Sequence, residues 1–88
     1  MLRVYSIKDE KSLSFNTPFF ALSDGVAIRN FMDLANDVQT LVFKHPEDFS
    51  LWLLGTFDEN SGELKPVERK HLIDASAFVA DRGIDSGA

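Results

Sequence analysis

Between Phe49 and Phe57 no residue is charged, and the side chains divide between two faces with the two-residue period of a strand. Phe49, Leu51, Leu53, Gly55 and Phe57 share one face; Ser50, Trp52, Leu54 and Thr56 share the other. Large apolar groups stand on both. A run of this kind belongs inside a sheet with cover on at least one face, so it is predicted as the central strand.

The opening residues repeat the pattern, with Leu2, Val4 and Ser6 opposite Arg3, Tyr5 and Ile7, and predict a strand over residues 2–8. Asp9-Glu10-Lys11-Ser12 breaks it, and Leu13-Ser14-Phe15 can pair back as a short strand before Pro18 ends regular pairing. Ser23 or Asp24 can cap a helix, predicted over about residues 24–38. In it Ala27, Ile28, Phe31, Leu34, Ala35 and Val38 form one stripe, while Arg29, Asn30, Asp33, Asn36 and Asp37 face away. Thr40 to Phe43 fits a short strand or a last helical turn, and His45-Pro46-Glu47-Asp48 a tight connector with Pro at the first position of a turn. After the central strand, Asp58 to Glu63 is a polar turn with Gly62 free to be left-handed, and Leu64-Lys65 return antiparallel until Pro66 breaks the ladder. Residues 68–79 satisfy both the helical and the extended period; a strand over 69–74 is preferred. The expected fold is α+β, an antiparallel sheet of roughly three to five strands with one main helix across one face.

With 88 residues the chain has room for one domain, expected over residues 1–80, and Asp81 to Ala88, poor in apolar groups, reads as a loose tail. The absence of Cys removes disulfides, thiolate metal sites and a Cys nucleophile. The two histidines, His45 and His71, lie in separate segments without a second ligand at zinc spacing, so no metal and no cofactor is expected. Asp58 to Glu63 offers the first acceptors of a calcium loop but has Gly62 at the fifth position and Glu63 where the loop needs glycine, so a hairpin turn is preferred. No G-x-S-x-G elbow and no phosphate-cradling glycine loop occurs, and no catalytic residue is assigned. No apolar run approaches the roughly 20 residues of a membrane helix, and Met1 to Lys11 does not read as a secretory signal. Fourteen acidic against nine basic residues, a net charge of −5, argue against indiscriminate binding to polyanions.

What stands out is apolar and aromatic material on faces that a one-layer core leaves wet. Trp52 and Leu54 lie opposite the presumed core face of the central strand, and Tyr5 and Ile7 lie opposite Leu2 and Val4. A partner subunit can cover this second face, which makes Trp52, Leu54, Tyr5 and Ile7 the candidate oligomer interface. Alternatively bases stack there with Arg3, Lys44 or Lys70 meeting phosphates, or the tail folds back over it.

The ordered segments Asp24-Gly25-Val26-Ala27-Ile28-Arg29, Asn36-Asp37, His45-Pro46-Glu47-Asp48-Phe49, Leu54-Gly55-Thr56-Phe57-Asp58 and Gly62 resemble the small nonstructural protein of gokushoviruses, single-stranded DNA phages of the microvirus group. Val4-Tyr5-Ser6-Ile7, Pro18-Phe19 and Leu72-Ile73 extend the resemblance over roughly residues 2–75. The resemblance implies a non-enzymatic protein of the bacterial host cytoplasm that binds DNA during replication. There, the resemblance further implies, it would help switch synthesis from the double-stranded replicative form to the single strands that are packaged. It assigns no DNA-contacting residue.

For that role the candidate nucleic-acid-binding residues are Arg3, Lys8, Lys11, Lys44, Arg69 and Lys70, chosen because they fall on predicted strands or connectors away from the acidic helix. Single strands are favoured over duplex because the polar face of the one helix carries Arg29 alone among acids and amides. Phosphate binding is driven by Lys and Arg, so an acidic chain is expected to act as a homo-oligomer that repeats a modest basic strip. The alternative is a protein-interaction factor that engages phage or host replication proteins, or assists assembly, without touching DNA.

Overall fold

A computed structural model describes residues 1–82. Five strands form one antiparallel sheet: β1 (Leu2–Asp9), β2 (Ser14–Phe15), β3 (Phe19–Ala21), β4 (Phe49–Phe57) and β5 (Leu64–Asp74). The sheet order is β2-β1-β4-β5, and β3 pairs with β1 beside β2. Two helices, α1 (Asp24–Ala35) and α2 (Leu41–Lys44), connect β3 to a 3-10 turn at Pro46–Asp48 that leads into β4. A 3-10 segment, Ala75–Arg82, follows β5. The fold is therefore α+β with one main helix, as the sequence predicts. Of the tail expected over 81–88, residues 83–88 lie outside the described residues, while 81 and 82 belong to the 3-10 segment.

Helix α1 starts where Ser23, in an extended conformation, accepts a hydrogen bond from the Val26 N–H through its hydroxyl. It buries a narrow stripe, Ala27, Phe31 and Ala35, with Ile28, Met32 and Leu34 packed alongside. Phe31 meets Phe78 edge to face at 5.9 Å. The helix ends at Ala35, not at 38: Asn36 caps it and Val38 is exposed. Thr40, itself extended, accepts from the Phe43 N–H as the cap of α2, so the segment left open between strand and helix is a helical turn over Leu41–Lys44.

Beneath α1 lie Tyr5 and Ile7 of β1 and Phe49, Leu51 and Leu53 of β4. Tyr5 and Ile7 are thus core residues, and the expectation that they share an open face with Trp52 is corrected. Alternation separates the two sides of a strand, but when both sides carry apolar groups it does not say which side is inside.

Two further expectations change at prolines. Pairing does not end at Pro18, because Phe19–Ala21 lie against Arg3–Tyr5. Pro66 does not break β5; it sits opposite Gly55 in an edge strand, where a missing N–H is tolerated, with the register shifting between Leu53 and Gly55. The strands approach so closely there that a Cβ on Gly55 would come within 2.4 Å of the Lys65 carbonyl oxygen. Gly62 holds the β4–β5 turn at φ 77°, as its place in the sequence predicts.

Candidate nucleic-acid interface

The helices cover one face of the sheet, and the face turned away from them is where the unexplained aromatic groups gather. On β1 the outer positions are Leu2, Val4, Ser6 and Lys8; Ser6 lies opposite Trp52 and Lys8 opposite Ser50. A bulge follows. Val4 pairs with Gly55 while Tyr5 pairs with Leu53, so Leu54 is an extra residue and the alternation of β4 reverses beyond it. Phe57, which simple alternation places with Leu51 and Leu53, instead meets Phe20 edge to face at 5.5 Å on the outer side.

The bulge divides the outer face into two regions. At the β3 end, Val4, Leu54, Gly55, Leu64, Lys65 and Pro66 line a shallow apolar groove of ≈ 260 Å³. Leu64 in its wall exposes 62% of its surface, and Phe20 nearby exposes 47%.

At the other end the groups are aromatic and charged. Trp52 meets Phe15 edge to face at 6.1 Å and His71 at 5.4 Å. The Lys8 ammonium stands over both rings, 5.5 Å from Trp52 and 5.9 Å from Phe15, and the Arg69 guanidinium lies 6.0 Å from Phe15. The indole is held: Trp52 Nε1 donates to Ser50 Oγ at 2.9 Å, and Ser50 Oγ donates to Glu10 Oε2 at 3.2 Å. Glu10 Oε1 in turn lies 3.5 Å from Lys8 Nζ. His71 Nε2 is 2.7 Å from Asp74 Oδ1. The cluster offers ring surfaces for stacking with two cations within reach, and it stays partly open to solvent.

Of the six basic candidates, Lys8 and Arg69 join this cluster. Arg3 does not: its guanidinium is 3.2 Å from Asp24 Oδ1 at the start of α1. Lys70 pairs with Leu53 and so belongs to the helix side of β5. Lys11 lies in the β1–β2 turn beside His45, Glu47 and Asp48, and Lys44 ends α2. Trp52 and Leu54 of the proposed interface are half-buried on the outer face, whereas Tyr5 and Ile7 are not there. Sequence reasoning assigns no nucleic-acid-binding or interface role to Phe15, Ser50, Glu10 or His71. The one local signal was the register: a β1–β2 hairpin that sets Phe15 opposite Lys8 also brings it onto the side of Trp52.

Elsewhere among the described residues, His45, Glu47 and Asp48 bring possible metal ligands within 4.8 Å of one another on the surface of the 3-10 turn. Burial, reinforced by the Asp24 carboxylate, pushes the Tyr5 phenol well above its ordinary range. Hydrogen bonds from the backbone of Asn60 and Ser61 hold the Asp58 carboxyl below its ordinary value. No helix among the described residues is long and apolar enough to cross a membrane.

A family model described as Phage ORF5 protein matches residues 2–78. Protein ORF5 of Chlamydia phage 1 is 32% identical over 83 residues, covering 88% of this chain and 86% of the relative. No solved structure matches the chain.

Proposed function

From the premise that the chain belongs to the Phage ORF5 protein family of small gokushovirus proteins, we propose that it binds single-stranded DNA with little sequence preference. The biological setting of the proposal is the host cytoplasm, at the switch from double-stranded replicative form to single-stranded genome synthesis and packaging. The observation that carries the reading is the grouping of Phe15, Trp52 and His71 with Lys8 and Arg69 on the helix-free face of the sheet. Every base has a π-face, so stacking on such rings is tolerant of sequence and worth about 1–3 kcal/mol per base. The cation–π contact that Lys8 makes in its place is worth about 0.5–1 kcal/mol at a partly exposed site, so an incoming base wins the ring and leaves the cation for a phosphate.

Two cations per chain give weak backbone binding against a net charge of −5. Self-association, proposed through the apolar outer region around Leu54, Phe20 and Leu64, repeats the cluster and lets several weak contacts act together. That same exposed region favours a second reading, a protein-interaction factor that engages replication proteins without DNA.

Titration of fluorescent single- and double-stranded oligonucleotides at about 50 mM and 300 mM salt separates the two, because phosphate binding weakens with salt. Single-strand binding at the lower salt that fades at the higher supports the DNA reading. Absence of single-strand binding at the lower salt removes it and leaves the protein-interaction reading.

A further inference from the structure

We propose that Lys8 is a displaceable plug on a subsite for one unpaired base, held in place by Glu10 until DNA arrives. The inference rests on the single-strand reading and adds a mechanism to it. Three observations meet at one place. Lys8 Nζ lies over the Trp52 ring at 5.5 Å and over the Phe15 ring, set edge-on to it, at 5.9 Å, and so occupies ring surface that a stacking base would need. The ammonium is paired at 3.5 Å with Glu10, whose other carboxylate oxygen accepts a hydrogen bond from Ser50. Ser50, which is buried, accepts from the Trp52 indole N–H, so ring, hydroxyl, carboxylate and ammonium form one closed circuit. Glu10 is an anion placed on Lys8 as a phosphate would be.

On binding, the base takes the ring surface and the Lys8 ammonium exchanges Glu10 for the phosphate beside that base. Phosphate exchange needs only a strand, but occupation of the ring surface needs a nucleotide that has a base and is unpaired. A duplex keeps its bases stacked on one another, and an abasic strand has phosphates alone; neither can displace Lys8 from the rings. The Ser50–Trp52 hydrogen bond keeps the indole in place while Lys8 moves.

The test uses the full chain and its single tryptophan. Oligothymidylate and an abasic strand of the same length are titrated, with fluorescence anisotropy of a labelled end reporting binding and Trp52 emission reporting the subsite. The expected result is quenching by oligothymidylate and none by the abasic strand at equal occupancy. In Glu10→Gln, whose amide oxygen can still accept from Ser50, oligothymidylate should bind about two- to fivefold more tightly at low salt, the range spanned by an exposed ion pair. Binding of oligothymidylate without quenching, equal quenching by both strands, or unchanged or weaker binding by a Glu10→Gln protein with unaltered melting overturns the plug while leaving single-strand binding in place. No binding of either strand overturns both.

Discussion

Trp52 Nε1 donates a hydrogen bond of 2.9 Å to the hydroxyl of Ser50, two residues earlier on the same face of β4. Ser50 is 1% exposed, an unusual setting for a serine unless its hydroxyl is employed, and it is employed twice, as acceptor from the indole and as donor to Glu10. The pair turns a large aromatic group on an open sheet face into an oriented one. Ser50→Ala should leave the indole N–H without this partner and cost about 1–3 kcal/mol. Thermal unfolding reads the loss, and Trp52 emission should shift to the red as the ring loses its anchor.

Tyr5 donates at 2.6 Å to Asp24 Oδ1, tying the start of α1 to β1. Removing a hydrogen bond to a charged acceptor costs about 1.5–3 kcal/mol, which sets the expected effect of Tyr5→Phe on stability. The phenol also has a pH signature. Its pKa is raised in the folded chain, so the unfolded chain ionises first: stability is intact below the ordinary value of 10.0 and declines as pH rises through it. Denaturant midpoints measured from pH 8 to pH 11 should fall above pH 10 in the parent and fall less in Tyr5→Phe.

Phe31 is the centre of the helix's buried stripe, 1% exposed and in edge contact with Phe78. Phe31→Ala should cost about 3–5 kcal/mol, a large part of the stability of a chain this small. Melting within a few degrees of the parent would contradict the packing described for α1.

These residues show what the sequence discloses and where it stops. Ser23 as cap, the apolar stripe through Phe31, the alternation of β1 and that of β4 as far as Leu53 each depend on local spacing, and the structure follows them. Which face of β1 turns inward depends on α1, far along the chain, so alternation treats Tyr5 and Trp52 alike although one is core and the other half-buried on the outer face. Phe57 changed sides through a bulge at Leu54 that no residue type announces. Lys8 and Arg69 stood among the basic candidates, but their convergence on Phe15 and Trp52 is set by pairing across strands. Pro66, by contrast, does not end its strand, because an edge strand accommodates it.

Self-association through the apolar outer region predicts a mass above 9.9 kDa in light scattering at micromolar concentration. Leu54→Lys, placing a charge in the groove lined by Val4, Leu64 and Pro66, should shift the protein towards that monomer mass. A monomer in the parent would leave the apolar region without the proposed cover.

The central claim is that single-stranded DNA meets the helix-free face of the sheet. Its most direct test is the salt dependence of binding to a labelled single-stranded oligonucleotide for Lys8→Ala, Arg69→Ala and Lys44→Ala beside the parent. Each cation that neutralises one phosphate contributes about 0.7 to the slope of log affinity against log salt. Lys8→Ala and Arg69→Ala should each lower the slope by about that amount and weaken binding, while Lys44→Ala, at the end of α2, should match the parent. Loss of binding in Lys44→Ala with Lys8→Ala and Arg69→Ala unchanged would contradict the account.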